Sequence, residues 1–189
     1  MNISEKLKKH RQIIEHWETN VYEGDMGCDW SDAHNHCWRC GKETQSLEMC
    51  HIIAKQFKGS NDNDNFVLLC KSCHKEAPDF NEKDKMWDWI KRTSEINHDT
   101  FLNKQLNREY KYIFGDDIST KIQMLNDLEQ DPKTKKELEK IIETNFKKAG
   151  LHGFDISLST KCYVIKDIID EVINNDFFKK KLDIVKNYS

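Results

Sequence analysis

Two pairs of cysteines have the spacing to share one metal ion. Cys37 and Cys40 form one Cys-x-x-Cys pair, and Cys70 and Cys73 form a second pair farther along the chain. Each pair makes a tight turn that brings two sulfurs to one ion, and four thiolates complete the tetrahedral shell that Zn²⁺ prefers. The alternative is two unrelated pairs of reduced core thiols. The spacing predicts a structural zinc site whose formation is coupled to folding of the segment.

Three residues near these pairs carry side chains that could take part in proton transfer or bind a metal ion. His51 follows a short apolar run, Asn65 opens a second one, and His74 directly follows the last cysteine. An imidazole titrates near neutral pH and can take a proton from water. A histidine nitrogen can also bind a divalent cation. Each residue also has an ordinary explanation: a packed histidine, an asparagine that caps a loop, and a surface or zinc-binding histidine.

The order His, Asn, His inside a four-cysteine frame resembles the HNH endonucleases of the ββα-metal class. The matching segment is CWRCGKETQSLEMCHIIAKQFKGSNDNDNFVLLCKSCHKEAPDF, residues 37–80. Within it, CHII, NFVLLC and CKSCH match most closely, and the flanks DWSDAH and MWDWIKR are also similar. The resemblance implies a β-hairpin followed by a helix and pinned by zinc. It also implies hydrolysis of DNA phosphodiester bonds with Mg²⁺ or Mn²⁺ as the catalytic ion.

The resemblance further implies a role for each residue of the motif. His51 corresponds to the general base, and Asn65 corresponds to the residue whose carbonyl holds that imidazole in place. His74 corresponds to a ligand of the catalytic cation. Double-stranded DNA is then the expected partner, and restriction, phage DNA processing and intron mobility are possible settings, of which restriction is our preferred guess.

Two departures from the family pattern concern the catalytic cation. Cys50 stands where relatives carry a metal-binding Asp or His, and a thiolate is a poor match for Mg²⁺. Glu48, on the same strand face, and Asp79 are candidate replacements, and water is a third because Mg²⁺ retains it readily. Pro78 occupies the position where many relatives have a further histidine.

The elements that must position these residues follow from apolar spacing. Residues 3–18 are predicted to form an amphipathic helix that begins with a capping box at Asn2 and Glu5. Two short apolar runs predict strands on either side of the polar loop 58–65. Four further helices are predicted near 82–97, 118–128, 138–146 and 164–173.

These elements predict an α+β fold, in which a small zinc-bound ββα-metal core is embedded in a mostly helical protein. We expect an N-terminal helix and loop at 1–36, the HNH core at 37–80 and a helical region at 81–189. The helical region shows no chemical motif of its own, and it leaves room for sequence reading or for formation of a homodimer.

Composition limits the possible classes of protein. The chain has 189 residues, with 30 Lys and Arg against 33 Asp and Glu, and 10% aromatic residues, which argues against disorder. It has no run of about 18 apolar residues and no apolar signal segment, so we expect a cytoplasmic protein without a membrane span. Since no segment is strongly basic, DNA must be bound through local patches such as Lys133 to Lys136 and Lys179 to Lys181.

Two alternative functions are consistent with all or part of this pattern. A non-catalytic zinc module would retain the four cysteines and treat His51 and His74 as packing residues, and Cys50 favours it. A nuclease that acts on RNA or on nicked or branched DNA would retain the whole pattern. Cleavage of a plasmid with and without Mg²⁺ separates the first of these from the endonuclease.

Overall fold

The computed structural model describes residues 2–150 and 156–179, and the chain divides into two compact units, residues 1–102 and 103–189. Two strands, β1 (Glu48–His51) and β2 (Phe66–Leu69), pair antiparallel. The helices are α1 (Ile3–Trp17), α2 (Lys71–Glu76), α3 (Lys83–Thr93), α4 (His98–Phe114), α5 (Ser119–Glu129), α6 (Pro132–Lys148) and α7 (Leu158–Asn174). The protein is therefore mostly helical with a small antiparallel sheet, which confirms the predicted α+β class.

Helix α1 begins with the predicted capping box. The Asn2 side chain accepts the Glu5 backbone N–H at 2.9 Å, and the Glu5 carboxylate accepts the Asn2 backbone N–H at 2.8 Å. The buried face of the helix includes Ile13 and Trp17. The Trp17 indole N–H donates to the backbone oxygen of Phe66 at 2.8 Å, so the end of α1 is fastened to the start of β2.

The hairpin has the predicted strands. Cys50 pairs with Val67 and His51 pairs with Phe66, and all four residues of β2 are buried. Burial on both faces explains why β2 appears in the sequence as a continuous apolar run. The backbone N–H of Trp38 donates to the Leu68 oxygen at 3.0 Å, which ties the first cysteine pair to the hairpin.

Helix α3 packs Met86 and Ile90 into the core that also contains the buried residues of the hairpin and of α1. The helix ends at Thr93 rather than near residue 97. The chain turns extended at Ser94, and the backbone N–H of Glu95 donates to the Arg39 oxygen at 3.0 Å. A contact distant in the sequence therefore replaces the last helical turn.

The second unit contains α5, α6, α7 and most of α4, a helix that apolar spacing did not single out. Most of the periodic apolar side chains are buried as predicted, whereas Phe146 and Ile173 are 40% and 42% exposed. Lys133, Lys135 and Lys136 are exposed as expected, and so is Lys179. The next two lysines of that patch, Lys180 and Lys181, lie outside the described residues. Throughout the described ranges, every helix is too short or too polar to cross a membrane.

Candidate active site

The four cysteines of the two pairs meet in one buried cluster. Their sulfurs all lie within 4.8 Å of one another, and the Cys40 and Cys70 sulfurs are 3.8 Å apart. A tetrahedral zinc with metal–sulfur bonds of about 2.3 Å requires sulfur–sulfur distances of about 3.8 Å. The neighbouring sulfurs, Cys37 foremost, lower the pKa of Cys70 and raise that of Cys73. Four thiols this close cannot all ionise without a cation, so the cluster fits a zinc site.

The first cysteine pair is shaped by the glycine that follows it. Gly41 has a φ of +64°, in the left-handed region, and its N–H donates to the Cys37 oxygen at 3.0 Å. A Cβ atom at Gly41 would lie 2.2 Å from the Ile96 backbone oxygen. The glycine is therefore required both by the turn and by the close approach of the chain after α3.

Arg39, inside the first pair, is buried and supports the cluster. Its guanidinium donates to the Cys73 sulfur at 3.6 Å and to the Glu76 carboxylate at 2.6 Å. The guanidinium also lies 4.2 Å from the centre of the Trp89 ring. Because four thiolates around Zn²⁺ carry a net charge of −2, this buried cation offsets part of the charge.

His51 ends β1 and lines a cavity of about 340 Å³ together with Cys50, His74 and Asp79. Its Nε2 lies 3.2 Å from the Oδ1 of Asn61, and its ring centre is 4.4 Å from that of Phe66. With the Asn61 amide oriented so that Oδ1 faces the ring, Nε2 carries the proton and Nδ1 is the unprotonated nitrogen.

His74 lies on α2 and is held by a carboxylate of β1. Its Nδ1 is 2.7 Å from the Oε2 of Glu48, and both side chains are partly exposed. This pairing leaves Nε2 as the nitrogen that can bind a cation. A carboxylate on the other ring nitrogen is the usual support of a metal-binding histidine. Glu48 therefore has the position of a residue that orients His74.

Cys50 presents a buried thiol to the same cavity. Burial, together with the nearby carboxylates of Asp79 and Glu48, raises the pKa of its thiol to about 12. The thiol is 3.7 Å from the His51 backbone oxygen, to which it can donate. Asp79 lines the same cavity as His74 and carries the hard oxygen donor that Mg²⁺ prefers.

Asn65 is almost fully buried, and its side chain binds backbone groups of the loop between the strands. Its Oδ1 accepts the Ile53 N–H at 2.8 Å, and its Nδ2 donates to the oxygens of Ile53 at 3.1 Å and Ser60 at 2.8 Å. A Cβ at Gly59 would lie 1.8 Å from the Ile53 oxygen, so the loop closes too tightly for any other residue. Asn65 thus braces the loop, and the amide that contacts the His51 imidazole is that of Asn61.

Comparison with protein families matches residues 35–80 to the HNH endonuclease family. This segment is an HNH domain. It contains the four cysteines as well as His51, Asn65 and His74. No curated protein and no solved structure matches the chain. The HNH domain suggests nuclease activity and implies a nucleic-acid substrate.

Sequence reasoning missed two residues of the HNH domain that the structure places beside its key groups. Arg39 has no sequence signal that separates it from a surface arginine, and only its burial against the cysteine cluster shows its role. Asn61 is one of three asparagines in a run of polar loop residues, and only the fold of the loop brings it to His51.

Proposed function

We propose that this chain is an endonuclease that hydrolyses DNA phosphodiester bonds, with Mg²⁺ or Mn²⁺ at the catalytic site and a structural zinc at the four cysteines. The observation that carries the proposal is the cavity lined by His51, His74 and Asp79, in a segment that also contains the four-cysteine cluster. A base, a hard oxygen donor and a supported imidazole ligand are what hydrolysis at one phosphate requires.

His51 is the general base in this proposal. Asn61 accepts the proton of Nε2, so Nδ1 can accept a proton from the attacking water. His74, held by Glu48, and Asp79 would bind the divalent cation, which supplies neutralisation of the phosphate charge.

Two lysines add positive charge to the same cavity. Lys55 and Lys75 both line it and are exposed, so they can pair with phosphate groups next to the scissile bond. The chain as a whole carries a net charge of −3, and attraction of DNA must therefore arise from such local groups.

Cleavage of a supercoiled plasmid, with and without Mg²⁺ or Mn²⁺, tests the proposal. His51→Ala should lower the cleavage rate by about 10²–10⁴-fold, since that is the usual contribution of a general base. His34→Ala is the matched control because this exposed histidine lies outside the cavity. Zinc content should stay unchanged in both variants. Cleavage by His51→Ala at the wild-type rate would contradict the proposal.

The buried Cys50 thiol favours a second candidate, a zinc module that binds nucleic acid without cleaving it. This module would bind DNA and leave the plasmid intact with either metal. Cleavage of an RNA substrate in preference to DNA would indicate the other sequence-based alternative. Restriction, cytoplasmic location and homodimer formation stay predictions from the sequence.

A further inference from the structure

Lys9, on helix α1 and outside the HNH domain, contacts the loop that carries Asn61. Its ammonium group donates to the backbone oxygen of Asn61 at 2.9 Å and to the Oδ1 of Asn63 at 2.6 Å. The same group lies 5.6 Å from the centre of the Phe66 ring. One cation of α1 therefore contacts both the loop and the first residue of β2.

Two of the three residues that Lys9 contacts, Asn61 and Phe66, also contact the His51 ring. Asn61 Oδ1 lies 3.2 Å from His51 Nε2, and the Phe66 ring is packed against the imidazole at 4.4 Å. The imidazole is thus fixed on one edge by a hydrogen bond and on one face by an aromatic ring. Lys9 contacts both Asn61 and Phe66, the two residues that hold the imidazole.

The loop needs this support because Asn61 itself is exposed. Asn65 braces the loop at Ser60 and Ile53, and Lys83 of α3 pairs with Asp64. Neither contact reaches the Asn61 backbone, which Lys9 binds directly. An exposed loop residue without such a tie samples several conformations, and its hydrogen bond to His51 would then be intermittent.

We infer that Lys9 is a positioning residue: it holds Asn61 so that the His51 imidazole keeps its orientation and its Nε2–H tautomer. This inference rests on the proposed function, since it assigns His51 as the base. The lysine already donates to two protein oxygens, which makes an internal role fit better than a direct contact with phosphate. Helix α1 then belongs to the catalytic machinery although it precedes the HNH domain.

Steady-state kinetics of DNA cleavage test the inference first. Lys9→Met retains the apolar stem and removes the charge, and it should lower kcat by about 10–10²-fold with little change in KM, because a misplaced base affects the chemical step. Lys9→Arg, which can still donate to two oxygens, should restore most of the rate. Lys8→Met is the matched control: Lys8 is the exposed neighbour on the same helix, and its loss should leave kcat unchanged. Equal losses in both methionine variants would overturn the inference.

A double-mutant cycle separates positioning from a general charge effect. If Lys9 acts through Asn61, Lys9→Met should cost almost nothing in kcat once Asn61→Ala has removed the contact with His51. Full additivity of the two losses would overturn the inference. Zinc content and thermal unfolding of each variant show that the domain is folded.

Nuclear magnetic resonance of the His51 ring nitrogens gives a readout that does not require cleavage. The wild-type ring should show one protonated Nε2, and Lys9→Met should show a mixture of tautomers. An unchanged spectrum in Lys9→Met would overturn the inference even if activity fell. If Lys9→Met shows the tautomer mixture but the wild-type protein does not cut DNA, only the proposed function is contradicted.

Discussion

Replacement of Asn65 by Asp tests whether this motif residue acts by bracing the loop. The variant keeps an oxygen to accept the Ile53 N–H, but it loses the Nδ2 donor. A carboxylate oxygen would then lie about where Nδ2 is, 3.1 Å from the Ile53 oxygen and 2.8 Å from the Ser60 oxygen. Two partly buried hydrogen bonds are lost and two carbonyls lose this partner, which together costs about 2–5 kcal/mol of unfolding free energy.

Tryptophan fluorescence during urea unfolding measures this loss in the compact unit that contains Asn65. All five tryptophans lie within residues 1–102, so the signal reports the unit that contains the HNH domain. Asn65→Asp should shift the unfolding midpoint to clearly lower urea. Asn81→Asp introduces the same carboxylate at an exposed position of the same unit, and it should change stability by no more than about 0.5 kcal/mol.

Hydrogen exchange at one backbone amide makes the test specific. The Ile53 N–H donates to the Asn65 side chain, so its protection should fall in Asn65→Ala, which removes the acceptor. If Asn65→Asp retained wild-type stability and Asn65→Ala retained Ile53 protection while cleavage was lost, the brace would be the wrong explanation. Asn65 would then act directly on the reacting groups.

Three further predictions concern the zinc site and the buried His10. Metal analysis should find about one zinc per chain, and Cys73→Ser should abolish cooperative unfolding of the first unit in tryptophan fluorescence; a wild-type transition without zinc would contradict this. Arg39→Met should weaken zinc affinity by about 10-fold or more in competition with a chelator, because the buried cation that offsets thiolate charge is lost; equal affinities would exclude that role. Burial, reinforced by Lys6, lowers the pKa of His10 from 6.5 to about 4. The unfolded chain therefore binds the proton first as pH falls, and the stability present above pH 6.5 should decline by up to about 3 kcal/mol toward pH 4. His10→Leu should flatten this decline in urea midpoints measured against pH, and an unaltered slope would refute the assignment.

Local signals in the sequence predicted the elements whose limits are set locally. The capping box fixes the start of α1, and continuous burial makes β2 an apolar run that any reader of the sequence can find. The predicted end of α3, near residue 97, was wrong because the backbone N–H of Glu95 donates to the Arg39 oxygen instead of continuing the helix. The sequence holds no sign of that contact, since the two residues meet only when the cysteine pair folds against the helix.

The candidate site shows the same division between local and tertiary information. Spacing alone predicted the cysteine cluster, because two Cys-x-x-Cys turns have few other uses. The sequence offered Glu48 and Asp79 as alternatives to Cys50, and the structure separates them: Glu48 pairs with His74, and Asp79 lines the cavity. Asn61 was not predicted because its contact with His51 depends on how a polar loop closes.

The small size of the hairpin explains why so many supports lie outside it. Two strands of four residues are marginal by themselves, and the proposed role of His51, the last residue of β1, requires a rigid frame. The four-cysteine cluster includes Cys70 and Cys73 at the junction of β2 and α2, while Trp17 and Lys9 fasten β2 and the loop to α1. Lys83 of α3 holds the other side of the loop through Asp64. The position of the His51 ring therefore depends on helices that flank residues 35–80 on both sides.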